Sequence, residues 1–183
     1  MKKLTKILSL AILALVFASC TKDKDFEDHK YGMDGVNDIR IIDIPSANTT
    51  LTSSTVYSVA TATAPVVLTI PVHLSDNDPK NEEINVTLAV DQEDTKITAY
   101  NASITTTPKY IRMPAANYTL SNGGVAKIAS GSKDASVTVT FTPSSLTPGV
   151  RYAIPVSIVS IDKQGYTISG NQGYRIILVT INR

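Results

Sequence analysis

The sequence predicts an all-β protein: an immunoglobulin-like antiparallel β-sandwich of seven to nine strands with one short helix or turn. Three observations predict it. Apolar and polar residues alternate along most of the chain, which is the period of a half-buried strand. Clusters of Gly, Pro, Asn and Asp interrupt the alternating runs at short intervals. The 183 residues are 43% hydrophobic, enough to bury the core of one domain.

The first 19 residues stand outside the pattern. Lys2, Lys3 and Lys6 precede an apolar run from Ile7 to Phe17, and the small residues Ala18 and Ser19 follow. A basic start, an apolar middle and small residues at the cut describe a secretory signal. The run falls well short of the roughly 20 residues that span a bilayer as a helix. The full chain carries +1, but without residues 1–19 only 14 basic residues face 16 acidic ones, a net of −2. Such a balance argues against nucleic acid as a partner.

Cys20 is the sole cysteine, so no internal disulfide and no Cys-based zinc site can form. Its place directly after Ala18 and Ser19 resembles a bacterial lipoprotein precursor, with Phe17-Ala18-Ser19-Cys20 as the lipobox. Phe17 departs from the Leu that lipoboxes most often carry there. The resemblance implies a diacylglyceryl group on the Cys20 sulfur, cleavage before Cys20 and acylation of the new N-terminus. Two or three acyl chains anchor stably where one does not. Residues 20–35 then read as a tether, because Thr21 to Lys30 is charged and has little to bury. Its acidic content resembles the signal that moves Bacteroidota lipoproteins to the outer cell surface. The implied location is the outer membrane, lipid-anchored and facing outward.

Residues 36–183 form the expected sandwich domain. Val66, Leu68, Ile70, Val72 and Leu74 share one face of a strand, and Ile84, Val86, Leu88 and Val90 share one face of the next. Val137, Val139 and Phe141 repeat the pattern, as do Tyr152, Ile154, Val156 and Ile158. Tyr174, Ile176 and Leu178 begin a last strand. Shorter candidates are Ile39–Asp43, Thr55–Ala60, Asn117–Leu120 and Val125–Ile128. Turn residues separate them at Asp76 to Pro79, Asn122-Gly123-Gly124, Pro148-Gly149 and Gly170 to Gly173. Asp91 to Asn101 breaks the alternation. Ile97 and Tyr100 lie three apart behind acidic residues, which predicts a short helix or turn capping one end of the sandwich. Pro71 and Pro155 fall inside strand patterns on the outward phase. Proline cannot donate to a ladder, so both belong at strand edges or bulges.

A longer resemblance runs through Tyr100-Asn101, then Met113-Pro114-Ala115-Ala116-Asn117-Tyr118, then Val125 to Gly131, then Tyr152-Ala153-Ile154-Pro155. In that order these elements resemble a domain of unknown function common in Bacteroidota surface lipoproteins. The family often supplies an N-terminal sandwich module ahead of glycan-binding or glycoside-hydrolase domains. The resemblance covers roughly residues 36–183, and the chain stops at Arg183 just after the last strand. It implies an accessory protein of a glycan-capture system. Such a protein binds polysaccharide weakly or holds partners near an outer-membrane glycan importer. The alternative class is a structural or adhesion subunit of pilus type.

No enzyme motif occurs: there is no P-loop, G-x-G-x-x-G, H-E-x-x-H or G-x-S-x-G. His73 falls on the outward face of a strand and His29 in the tether, so no nucleophile–base pair is expected. No catalytic residue, cofactor or metal is assigned. Asp76-Asn77-Asp78 and Asp91, Glu93 and Asp94 are oxygen-rich enough for calcium, but polar turns use the same residues. Sugar rings need flat aromatic surface with amide or carboxylate neighbours, and the chain has no Trp. Tyr57, Tyr118 and Tyr152 read as core or corner residues. Tyr166 and Tyr174, with Asn171 and Gln172 on the loop between them, are the expected glycan-binding edge.

Overall fold

The computed structural model describes residues 40–45, 62–76 and 81–182, and the backbone alone of 54–60. The signal, Cys20 and the tether lie outside the described residues. So do Asn77 and Asp78, and the side chain of Tyr57. The described strands all fall in one compact unit, Ile39–Arg183.

Eleven strands are described: β1 (Arg40–Asp43), β2 (Ser54–Ala60), β3 (Val66–Ser75), β4 (Ile84–Val90), β5 (Ile111–Arg112), β6 (Tyr118–Leu120), β7 (Val125–Ile128), β8 (Asp134–Phe141), β9 (Arg151–Ile161), β10 (Tyr166–Ile168) and β11 (Tyr174–Asn182). They form two sheets. The first runs β10-β1-β3-β8-β6, and the second runs β2-β11-β9-β4-β7 with β5 paired to β9. The fold is an all-β sandwich, as expected. The count exceeds seven to nine because β5 and β10 hold two and three residues, too few to show a period. Most neighbours are antiparallel, but β1 with β10, β2 with β11, and β5 with β9 run parallel.

Alternation places the core where it was expected. Leu68, Ile70, Val72 and Leu74 of β3 and Val137, Val139 and Phe141 of neighbouring β8 share one buried cluster with Ile84, Val86 and Leu88 of β4 in the other sheet. Each such side chain taken from water contributes about 1.5–3 kcal/mol. Two strands break the half-buried rule. In β9, Ala153 and Pro155 are buried as well as Ile154 and Val156, and β11 is buried from Arg175 through Val179. In β11 it is Ile177, Val179 and Ile181 that point between the sheets. Ile176 and Leu178 turn outward, beneath the helix α1 (Thr95–Ser103), and pack with Ile97, Tyr110 and Ala153. The expected end cap is therefore a cover on the outer face of the second sheet. A strand covered on both faces reads as a continuous apolar run, which is how Ile176 to Val179 is written. The acidic residues precede α1, with Asp94 at its N-cap.

Both prolines lie in strands interior to their sheets, but each falls where one flanking strand has stopped. The β1–β3 pairing ends at Asp43↔His73, before it reaches Pro71. Pro155 sits where β4 has just ended on one flank of β9 and β5 has not yet begun. There the Asp91 N–H donates to the Pro155 carbonyl at 2.9 Å. Proline cannot return the bond, and the Arg112 guanidinium donates to the Asp91 carbonyl in its place. The β4–β9 pairing also shifts register between Thr87 and Leu88.

At the predicted Asn122-Gly123-Gly124 turn, Asn122 and Gly123 adopt φ of 51° and 60°. Gly124, at φ 87°, could not carry a Cβ without striking the Leu88 carbonyl.

Candidate functional site

The loop between Tyr166 and Tyr174 is fastened, not open. Ser169 Oγ donates to Asn171 Oδ1 at 2.9 Å and accepts the Gln172 N–H at 3.1 Å. The Gln172 carbonyl takes the Ile44 N–H at 2.7 Å, tying the loop to the end of β1. Tyr166 packs against the core between the sheets, and its hydroxyl donates to Glu82 Oε1 at 2.8 Å. Burial, followed by the Glu82 carboxylate, pushes its phenol above the ordinary range. The Arg40 guanidinium lies 5.4 Å from its ring centre. Tyr174 instead packs with the cluster under α1. Asn171 and Gln172 are exposed at the loop tip. The four expected residues thus divide between two sheets and a loop, and the two rings face different clusters.

Tyr174 has other neighbours. With Ile176 it forms one wall of a groove of about 230 Å³, and α1 forms the other through Ala99, Tyr100 and Ser103, with Thr95 and Lys96 at its head. Thr95, Ala99 and Ser103 recur every four residues, so they share one flank of the helix. Their small side chains keep that flank low. Tyr100 is steadied by an edge-on contact with Tyr110, with ring centres 5.7 Å apart. Lys96 Nζ sits 4.9 Å from the Tyr174 ring centre and donates to Asp91 Oδ2 at 2.6 Å. Ser157 Oγ donates to the same oxygen at 3.1 Å.

A second cleft of about 240 Å³, lined by Asp91, Gln92, Glu93, Thr95 and Lys96, shares Thr95 and Lys96 with the groove. The Gln92 amide donates to the Val90 carbonyl at 2.9 Å, and Asp94 pairs with Arg112 at 2.7 Å. Asp91 and Asp94 are therefore each held by a cation. No group of three His, Cys, Asp or Glu able to hold a metal occurs among the described residues. Glu93 is exposed and makes no pair among the described residues. The groove and cleft together offer an aromatic, apolar floor, a fixed ammonium and a carboxylate rim. These are the parts of a small polar-ligand site.

A further depression of about 300 Å³ lies beside β6 and β8, lined by Asn117, Tyr118, Thr119, Thr140 and Ser145 among others. There the Asn117 amide already donates to the Ser145 carbonyl and hydroxyl, each at 3.1 Å. Burial raises the Tyr118 phenol, partly offset by Arg112. Outward His73 is paired with Asp134 at 2.7 Å.

A family described as a "-like, N-terminal domain" matches residues 37–165. The chain belongs to this N-terminal-domain family. The expected Bacteroidota sandwich module is thereby supported by solved structures from Bacteroides. A candidate carbohydrate binding protein from Bacteroides ovatus superposes with a TM-score of 0.58 at 16% identity, over 78% of this chain and 37% of that one. EndoBT-3987 of Bacteroides thetaiotamicron, solved with Man5GlcNAc product, gives 0.54 at 21% identity, over 70% and 28%. An auxiliary nutrient binding protein from Bacteroides thetaiotaomicron gives 0.52 at 16% identity, over 74% and 46%. At these identities the likeness is one of fold. This member of the N-terminal-domain family spans less than half the length of each. No curated protein matches the sequence.

Proposed function

We propose that this chain is a lipid-anchored accessory protein of a glycan-capture system on the outer membrane, facing the cell surface. It binds polysaccharide weakly and has no catalytic role of its own. One observation carries the reading: the same sandwich is built into larger Bacteroides proteins named for carbohydrate and nutrient binding, and into one solved with a glycan product. The groove beside α1 supports it, because aromatic floor and polar rim are what a sugar needs. Its volume of about 230 Å³ is below the roughly 300–1,000 Å³ of pockets that engulf a ligand. Binding is therefore expected to be weak.

Native affinity electrophoresis of the whole protein tests this. Retardation is expected in gels containing at least one of glucomannan, xyloglucan, starch or polygalacturonate. Unchanged mobility in all four overturns the binding function.

A further inference from the structure

Resting on the glycan reading above, we infer that the groove between α1 and the start of β11 is a subsite for one neutral pyranose ring, selected against acidic sugars by Glu93. No sequence motif marks this place. It is assembled from a helix flank and a strand that lie more than 70 positions apart in the chain.

The argument begins with the floor. Tyr100 and Tyr174 are both half-exposed, and Ile176 between them is buried. The phenol hydroxyls of Tyr100 and Tyr174 make no hydrogen bond among the described residues. Tyrosines that only complete a core usually find a partner for the hydroxyl, as Tyr152 and Tyr166 do here. These two instead hold unused polar groups at the mouth of an apolar groove. A pyranose matches that pattern, since its C–H face packs on an aromatic ring while its hydroxyls reach outward to donors and acceptors. The Ala99 side of α1 is low enough to admit the ring, and the Thr95 hydroxyl lies at the head.

Charge then narrows the class. Asp91 and Lys96 cancel each other at 2.6 Å. Asp94 and Arg112 do the same at 2.7 Å. Glu93 lines the adjoining cleft, which meets the groove at Thr95 and Lys96, and has no partner among the described residues, so Asp91, Glu93, Asp94, Lys96 and Arg112 at that end sum to −1. A uronate or sulfated sugar would bring like charge against it, which costs affinity. A neutral hexose or pentose bears no such penalty.

The experiment uses the full chain and three variants in affinity gels of glucomannan, xyloglucan, starch and polygalacturonate. Ala99→Trp fills the groove from an exposed helix position. Tyr174→Ala removes the floor, and Glu93→Gln removes the rim charge. Thermal melting of each variant confirms folding. The parent is expected to be retarded by a neutral polysaccharide and not by polygalacturonate. Ala99→Trp and Tyr174→Ala are each expected to weaken that retardation by about tenfold or more. Glu93→Gln is expected to gain affinity for polygalacturonate relative to the parent. If the parent binds and both groove variants bind equally well, the subsite is wrong while the glycan reading stands. If the parent prefers polygalacturonate, the charge argument falls. If the parent binds none of the four, both the subsite and the glycan reading fall.

Discussion

Asp162, directly after β9, shows how one carboxylate locks a register. The Asn85 N–H and side-chain amide donate to its two oxygens, each at 2.8 Å, and the Asp162 N–H donates back to the Asn85 carbonyl at 3.1 Å. The Asn85 side chain first, then the backbone bonds and Lys163, hold the carboxyl below its ordinary value of 3.8. A depressed folded pKa means a contribution present above the unfolded value and lost as pH falls through the folded one. The Asp162 carboxyl is open to solvent, so this contribution is small. Replacing Asn85 by Ala removes one of the two donors and leaves the backbone N–H. The Asp162 midpoint in a carbon-detected NMR titration is then expected to move up toward 3.8 without reaching it. An unmoved midpoint would show that the side-chain amide does not set the value.

At the scale of elements, the join of β4, β5 and β9 carries the most information. β9 is lined on one flank by β4, then by Asp91 alone opposite Pro155, then by β5. Arg112 closes the gap by donating to the Asp91 carbonyl and pairing with Asp94. Arg112→Met leaves that carbonyl without its donor and is expected to cost about 1–3 kcal/mol in denaturant unfolding. Pro155→Ala restores an N–H on the flank that faces Asp91. In a double-mutant cycle, Arg112→Met should therefore cost less on the Pro155→Ala background than alone. Additive costs would mean that the guanidinium does not substitute for the missing ladder bond. The long alternating strands β3, β4 and β8 were legible because one face of each meets the core and the other meets solvent. The helix was legible from Ile97 and Tyr100, but its seat was not. Nothing local to residues 91–101 says that Ile176 and Leu178 await it on the outer face. The same distance hides the groove: the sequence marks Tyr174, but its partners Lys96, Ala99 and Tyr100 lie more than 70 positions away and meet it only in the fold. The four-residue recurrence of Thr95, Ala99 and Ser103 was the one available sign of an open helix flank.

For the whole molecule, the question is what would hold it at a membrane. No described helix is long and apolar enough to cross one. Attraction to anionic lipid needs clustered Lys and Arg, each worth about 1 kcal/mol near the surface, whereas residues 20–183 carry a net of −2. Among the described residues, the large hydrophobic side chains that are exposed, Val67, Ile111 and Val159, lie on three different strands, β3, β5 and β9. They do not form the continuous apolar face of an interfacial anchor. On the proposed lipid-anchored reading, acylation of Cys20 is expected to supply the membrane affinity. Burial of each acyl CH₂ contributes about 0.8 kcal/mol, so two or three chains give a hold that one chain does not. Cys20→Ala is therefore expected to move essentially all of the protein from the membrane pellet to the soluble fraction. A lesser shift would be expected if the domain shared the work. Blocking lipoprotein signal cleavage with globomycin should at the same time accumulate the longer precursor. Membrane association unchanged in Cys20→Ala would overturn the anchor, and with it the route by which the sandwich meets glycan at the cell surface.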